Sequence, residues 1–172
     1  NITDGTKINW SVFRKYIKYL SDNELDYYKL EYKTRERQSK RYFPSSTPEE
    51  CEDKFLNLPI QNREVEIYIN PGEEYWKNRY YKKLFDVNYE TDIIKDICIN
   101  YLEALEWTFK YYTVGCKDWS WCYKYHYPPL MSDLLKYIPY FDTEFIKTND
   151  SSAVEPIVQL SRSEEHTSEL QS

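Results

Sequence analysis

Residues 119–129 read WSWCYKYHYPP, and this stretch is the most unusual part of the sequence. Six of its first nine side chains carry a ring, namely Trp119, Trp121, Tyr123, Tyr125, His126 and Tyr127. Such a cluster suits a plug of the hydrophobic core, since large rings bury much apolar area. It also suits a platform for unpaired nucleic-acid bases, on which one ring contributes about 1–3 kcal/mol per base. Composition alone favours the core plug.

A long helix is predicted before this aromatic segment, over residues 90–112, and a short one after it, over residues 130–138. Apolar residues recur along the long helix at spacings of three, four and seven, which is typical of one buried stripe. Gly115 is suited to end the long helix, and Pro128 with Pro129 separates the segment from the short helix. The residues of the stripe are Ile94, Cys98, Tyr101, Leu105 and Tyr112.

The N-terminal part is also predicted to be helical, over residues 9–41, with Asn9 as the N-cap. Residues 21–24 (SDNE) leave two readings open, a capping box that starts a second helix or a polar patch on one long helix. A basic run follows and is either a solvated face or a surface that faces an RNA backbone. The predicted inward face consists of Trp10, Phe13, Ile17, Leu20, Leu25, Tyr28 and Tyr32.

Between these helices, Thr47 and Pro48 predict a helix start, with Cys51, Phe55 and Leu58 turned inward. Residues 60–72 are predicted to be a loop, with a short extended piece at residues 65–69, and residues 75–85 to be a short basic and aromatic helix. Strand signals are scarce. The predicted fold class is therefore mainly α, an irregular multi-helix assembly.

Charge and composition exclude several kinds of protein. The net charge is −6, which makes the chain a poor candidate for gripping nucleic acid by itself. No apolar run is long enough to span a membrane, so no membrane association is predicted, and we find no secretory signal. The four cysteines are too few in a chain of this length for a disulfide scaffold and are expected to be free thiols.

Catalytic and metal-binding patterns are weak. The carboxylates Asp92, Asp96, Glu103 and Glu106 lie along one helix and fit a solvated helix face better than a metal centre. Cys116, Cys122 and His126 have two spacings of a zinc finger, but three ligands do not close a structural zinc site. Cys122 with His126 lacks an orienting third group for nucleophilic catalysis. We therefore predict no catalytic residue and no metal ligand in this chain.

Residues 162–172 (RSEEHTSELQS) look like the translation of a sequencing adapter and are excluded from the fold. Residues 1–161 are then the genuine part. Since the chain also starts without a methionine, we expect both ends to be truncated.

The order of four sequence blocks resembles the Xrn-type 5′→3′ exoribonuclease family. Residues 76–85 (WKNRYYKKLF) resemble its W-K-x-R-Y-Y-x-x-x-F block, and residues 101–107 (YLEALEW) its Y-x-E-G-L-x-W block. Residues 111–115 (YYTVG) resemble Y-Y-Y-x-G, and residues 119–133 resemble S-W-x-W-Y-Y-P-Y-H-Y-A-P-x-x-S-D. Residues 156–160 (PIVQL) look like the start of a later block. Among the departures, Ala104 stands for a glycine and Cys122 for an aromatic residue, which suggests a divergent member.

The resemblance implies a truncated part of a larger nuclease, which removes mononucleotides from single-stranded RNA with a 5′-monophosphate. Its Mg²⁺ ligands would lie in an N-terminal catalytic domain of the same protein, in the cytoplasm or the nucleus, so the chain alone is expected to be inactive. The helical region would wall the RNA entry channel. The implied stacking or wall residues are Trp119, Trp121, Tyr125, His126 and Tyr127. The alternative is a helical RNA- or protein-binding module, with or without a zinc site.

Overall fold

Helices form nearly all the regular structure in the computed structural model, which describes residues 1–146 together with residues 153 and 155. A short antiparallel hairpin of β1 (Thr3–Asp4) and β2 (Lys7–Ile8) comes first. The predicted mainly α fold class is confirmed in this part of the chain. The helices are α1 (Trp10–Asp22), α2 (Glu24–Ser39), α3 (Pro48–Leu56), α4 (Leu58–Gln61), α5 (Glu64–Ile69), α6 (Trp76–Phe85), α7 (Thr91–Val114) and α8 (Met131–Tyr137).

The N-terminal helical run consists of two helices that meet at Asn23. The predicted cap of the first is confirmed, since the Asn9 side chain accepts a hydrogen bond from the Val12 N–H at 3.1 Å. Of the two readings of residues 21–24, the start of a second helix is confirmed, but its N-cap Asn23 makes no side-chain cap hydrogen bond, so there is no capping box. Glu24 instead turns its carboxylate to the first turn of α8, where it accepts hydrogen bonds from the amides of Met131 and Ser132.

The start of α3 is as predicted, but its inward face is not. Thr47 and Glu50 form a complete capping box, and Pro48 is the first helical residue. Cys51, Phe55 and Leu58 were expected to point inward, and all three are exposed, Phe55 by 69%. Neither α3 nor α4 contains a buried residue. The apolar pattern predicted an inward face, but the side chains of this face remain exposed.

Residues 65–69 are helical rather than extended, so this prediction was wrong. Two arginines hold this helix through the Glu66 carboxylate. Arg35 Nε lies 2.7 Å and Arg63 Nε 2.9 Å from its oxygen atoms. Tertiary contacts therefore override the β-branched composition of this piece. Leu25 was also misassigned to the inward face of α2, where it is 38% exposed.

The core lies where α8 packs between α1 and α7. Trp10, Tyr81, Ile97, Leu102 and Leu134 are at most 2% exposed. Burying side chains of this size contributes about 1.5–3 kcal/mol each, before the entropy cost of ordering them. These residues are the principal hydrophobic stabilisation of the fold.

One side of the core contains a polar network around Asp133, which is fully buried. The hydroxyls of Tyr81 and Tyr89 donate to the carboxylate at 3.1 and 2.7 Å, and Lys136 Nζ donates at 2.6 Å. Burial, and then the neighbouring carboxylate, raise the pKa of both tyrosines far above the ordinary range. The Tyr81 hydroxyl also accepts from the Leu130 N–H at 3.1 Å, so the network joins α6 to the start of α8.

Glu106 corrects the prediction of a solvated carboxylate face on α7. It is 4% exposed and accepts hydrogen bonds from the amides of Phe145 and Ile146 at 2.5 and 2.9 Å, with Lys110 Nζ at 3.0 Å. Its neighbour Tyr112, placed on the buried stripe, is 81% exposed. Residues 144–146 lie against Glu106 and Lys110, whereas residues 111–114 at the end of α7 are exposed, so the buried stripe ends before Tyr112.

Two predictions lie outside the described residues, namely the adapter-derived tail over 162–172 and the block at 156–160, and both stay predictions. Within the part that is described, no helix is both long and apolar enough to cross a membrane.

Candidate nucleic-acid interface

The aromatic segment, residues 119–129, is an irregular stretch between α7 and α8 that is fixed from three sides. The Lys124 N–H donates to the Asn100 side chain at 3.0 Å. Just before the segment, Trp107 Nε1 donates to the Asp118 carbonyl at 2.9 Å. Near its end, the Tyr80 hydroxyl donates to the Pro128 carbonyl at 3.0 Å. Because helices supply all three anchors, the segment is held without regular structure of its own.

Trp121 belongs to a stack of three rings. Its ring lies 5.9 Å from that of Trp107, with an angle of 22° between the planes. Trp107 in turn stacks on Tyr111 at 5.4 Å and 15°. Trp107 and Tyr111 were not among the predicted site residues, although they lie four residues apart on one helix, the spacing at which side chains meet.

Trp119 differs from Trp121 in its exposure. The Trp119 side chain is 49% exposed, whereas Trp121 is partly covered by its stack. The neighbouring turn is fixed, because the backbone N–H and the hydroxyl of Ser120 both donate to the Asp118 carboxylate, at 2.8 and 2.6 Å. An indole ring is thus presented to solvent next to an ordered turn.

Tyr123 and Tyr125 of the segment are packed against other aromatic rings. Tyr123 contacts the rings of Tyr101 and Tyr125 and donates its hydroxyl to the Tyr127 carbonyl at 2.7 Å. Tyr125 lies 5.8 Å from Phe85. Burial raises the pKa of Tyr123 and of Tyr125, so both hydroxyls stay neutral at ordinary pH. This half of the segment corresponds to the core-plug interpretation.

Two predicted wall residues lie on the outer side. His126 is exposed, and Tyr127 is 43% exposed while its ring lies 6.4 Å from that of Phe85. The five predicted residues are therefore brought onto one segment but not into one environment. Trp121 and Tyr125 are packed against the fold, and Trp119, His126 and Tyr127 face outward.

The possible zinc ligands are not assembled. Among the described residues, no group of three or more histidine, cysteine or acidic side chains could hold a metal ion, and this set includes Cys116, Cys122 and His126. Cys116, Cys122 and His126 are therefore not brought together as a zinc site in the described part of the chain.

Some of the basic side chains of the run on α2 make ion pairs and hydrogen bonds within the fold. Arg35 binds Glu66 and also donates to the Pro59 carbonyl at 2.9 Å, and Lys40 pairs with Glu36 at 3.0 Å. Arg35 therefore connects α2 to the α4–α5 region.

The described residues thus form a multi-helix domain with an aromatic segment anchored to α6 and α7. The profile of the Xrn1 helical domain matches residues 14–162, and the chain belongs to this family.

Curated relatives agree with this assignment. The chain is 41% identical over 112 residues to 5′-3′ exoribonuclease 1 of Saccharomyces cerevisiae, covering 54% of this chain and 7% of that protein. It is 34% identical over 87 residues to 5′-3′ exoribonuclease 1 of Schizosaccharomyces pombe, covering 48% and 7%. With the 5′-3′ exoribonuclease 2 homolog of Caenorhabditis elegans it shares 32% identity over 125 residues, covering 72% and 12%. The chain thus spans about a tenth or less of the length of these relatives.

Proposed function

We propose that this chain is the helical region of a 5′→3′ exoribonuclease and that its aromatic segment lines the channel by which RNA enters. The substrate is single-stranded RNA with a 5′-monophosphate, degraded to mononucleotides. The observation that carries the proposal is the half-exposed Trp119 next to an anchored stack of rings, in a chain of this family.

Trp119 supplies the ring on which a leading base stacks, a contact of about 1–3 kcal/mol that accepts any base. Trp121 is a positioning residue, since one face of its ring lies against Trp107. His126 and Tyr127 form the adjoining wall. Bases must be unpaired to reach such rings, so a wall of this kind selects single-stranded ends.

Hydrolysis itself is assigned to the N-terminal catalytic domain of the parent protein, which would bring the acidic ligands and Mg²⁺ and would act in the cytoplasm or the nucleus. When bound, the metal would supply Lewis-acid activation of the phosphodiester. The residues of the present chain would hold and orient the RNA. The chain by itself is therefore expected to show no nuclease activity.

The test uses the longer enzyme that contains this chain, with 5′-monophosphate RNA and 5′-triphosphate RNA as substrates. Trp119→Ala should slow degradation of the 5′-monophosphate RNA by about fivefold to a hundredfold, the equivalent of one lost stacking contact. Tyr42→Ala is the control, because this ring is 86% exposed and lies far from the segment along the chain.

Trp121→Ala separates direct stacking from positioning. We expect it to slow degradation and to lower the melting temperature more than Trp119→Ala does, because the Trp121 ring is packed in the stack. If neither tryptophan variant slows the reaction, the stacking role is wrong. A longer protein that binds RNA but does not hydrolyse it would favour the alternative of a binding module.

A further inference from the structure

Two adjoining cavities lie along α2 and form one groove, which we name the α2 groove. Their volumes are about 270 and about 140 Å³. The first extends from the α1–α2 junction to the Pro128–Met131 region, and the second from α2 to α5 and α6. Tyr28 and Glu31 line both cavities, so the two cavities adjoin, with these side chains between them.

Tyrosine rings dominate the lining of the groove, and most of them are fixed. Tyr28 lies 5.2 Å from the Trp76 ring and 6.1 Å from the Tyr80 ring. Tyr32 is held under the Arg63 guanidinium, 4.6 Å from the ring centroid. Tyr27 stands at the outer edge and is 49% exposed. The aromatic surface is therefore formed before any ligand arrives, which lowers the entropy cost of binding.

Prolines complete the walls, with Pro71 beside the second cavity and Pro128 and Pro129 beside the first. Rigid walls of proline and tyrosine carry few polar groups that a bound apolar segment would have to desolvate.

The carboxylates that line the groove differ in whether they already make a hydrogen bond or an ion pair within the fold. Glu24 binds the backbone of α8, and Glu66 binds Arg35 and Arg63. Glu31 is exposed at the junction of the two cavities and makes no ion pair among the described residues. An incoming cation could pair with Glu31 without displacing any contact of the fold.

We propose that the α2 groove binds a proline-rich segment of a partner protein, in the polyproline II conformation and with one arginine that pairs with Glu31. Grooves lined by aromatic rings recognise such segments, because proline rings pack between them and the ligand is already extended. A carboxylate beside the rings suits a bidentate contact with the guanidinium.

The dimensions agree with this occupant. From Glu24 to Arg35, α2 advances about 16 Å at about 1.5 Å per residue. A polyproline II segment covers that length with about five residues at about 3.1 Å each. An α-helical ligand, with a diameter of about 10 Å including side chains, fits two small cavities separated by Tyr28 and Glu31 less well.

The experiment measures fluorescence anisotropy of a labelled peptide, Pro-Pro-Leu-Pro-Pro-Arg-Pro, with the full chain. We expect saturable binding that Tyr27→Ala weakens by about tenfold, the effect of losing one aromatic contact in the groove. Tyr16→Ala is the matched control and should bind normally, because Tyr16 is 48% exposed, almost the same as Tyr27, but does not line either cavity.

The arginine contact is tested separately with Glu31→Gln. This variant should weaken binding of the arginine peptide by about two- to fivefold, as expected for an exposed ion pair. It should not affect a peptide with alanine in place of arginine.

Several results would overturn the proposal. These are no saturable binding by a chain whose circular dichroism is helical, equal losses for Tyr27→Ala and Tyr16→Ala, or tighter binding of a proline-free, leucine-rich helical peptide. A longer piece of the same protein that no longer binds the peptide would also overturn it, because the occupant would then be internal. None of these outcomes bears on RNA degradation, so this inference and the proposed function can fail independently.

Discussion

The α6–α8 region and the α3–α4 region differ in what their apolar residues contact. In α6, α7 and α8, side chains such as Tyr81, Ile97 and Leu134 are completely buried. In α3 and α4 no residue is buried, and Phe55 and Leu56 are each 69% exposed. Both regions have apolar residues at helical spacing. A periodic pattern therefore shows that a helix has an apolar face, but not that a partner lies against it.

Cysteine reactivity should show this contrast most strongly. Burial raises the pKa of Cys98 to about 12, whereas Cys51 is exposed at the start of α3. Only the thiolate form of a cysteine reacts. A pKa about three above that of an ordinary thiol therefore lowers the thiolate fraction by about a thousandfold at neutral pH.

Iodoacetamide labelling of the native chain, read by mass spectrometry, should therefore modify Cys51 long before Cys98. Labelling in urea is the control, since both thiols should then react. Equal native rates would contradict the buried position of Cys98.

Core truncation is expected to have the next largest effect. Leu134→Ala should lower the free energy of unfolding by about 2–5 kcal/mol, because it leaves a cavity among fully buried residues. Phe55→Ala removes a larger side chain but should change stability by no more than about 0.5 kcal/mol, since the ring is mostly exposed. Urea unfolding followed by circular dichroism measures both. A large loss for Phe55→Ala would mean that α3 does have a partner.

Acid should distinguish the paired carboxylate of Glu66, on α5, from an exposed carboxylate on α3 by a smaller amount. Burial opposes ionisation of Glu66, but the hydrogen bonds from Arg63 and Arg35 outweigh it and lower its pKa. A folded pKa below the unfolded value stabilises the chain above about pH 4.3, and the contribution is lost as the pH falls through the lowered pKa.

Glu66→Gln should therefore be less stable than the unmodified chain at pH 7, and the difference should shrink on acidification. Glu52→Gln, on the exposed helix α3, is the control and should show no such convergence. A difference that stays constant from pH 7 to acid would show that the arginine pairs do not act through the charge of Glu66.

Several elements could be read directly from residue types. Asn9 as N-cap, the capping box at Thr47 and the end of α7 at Gly115 depend on local hydrogen bonds and backbone angles, so sequence was sufficient. The helix at residues 64–69 could not be read, because Arg35, which helps to hold it, is about thirty residues away.

The sequence predicted which segment forms the candidate site, but not how the side chains of that segment are arranged. The unusual run of rings pointed to residues 119–129. Tyr111 meets Trp107 at the local helical spacing of four, but the pairing of Trp121 with Trp107 depends on how an irregular segment folds back on α7. The helical spacing of side chains does not predict contacts where the chain leaves a helix and folds back on it.

The sequence by itself determined the helical class, the helix starts at Asn9 and Thr47, and the family blocks that lead to an Xrn1 helical domain. These features depend on neighbours a few residues apart. Only the tertiary structure decided which apolar faces are covered, which carboxylates accept hydrogen bonds within the fold, and which tryptophan of residues 119–129 is the more exposed. Those outcomes depend on contacts between residues far apart in the chain, such as Glu24 with the start of α8 and Glu106 with residues 145–146, whose geometry no local pattern specifies.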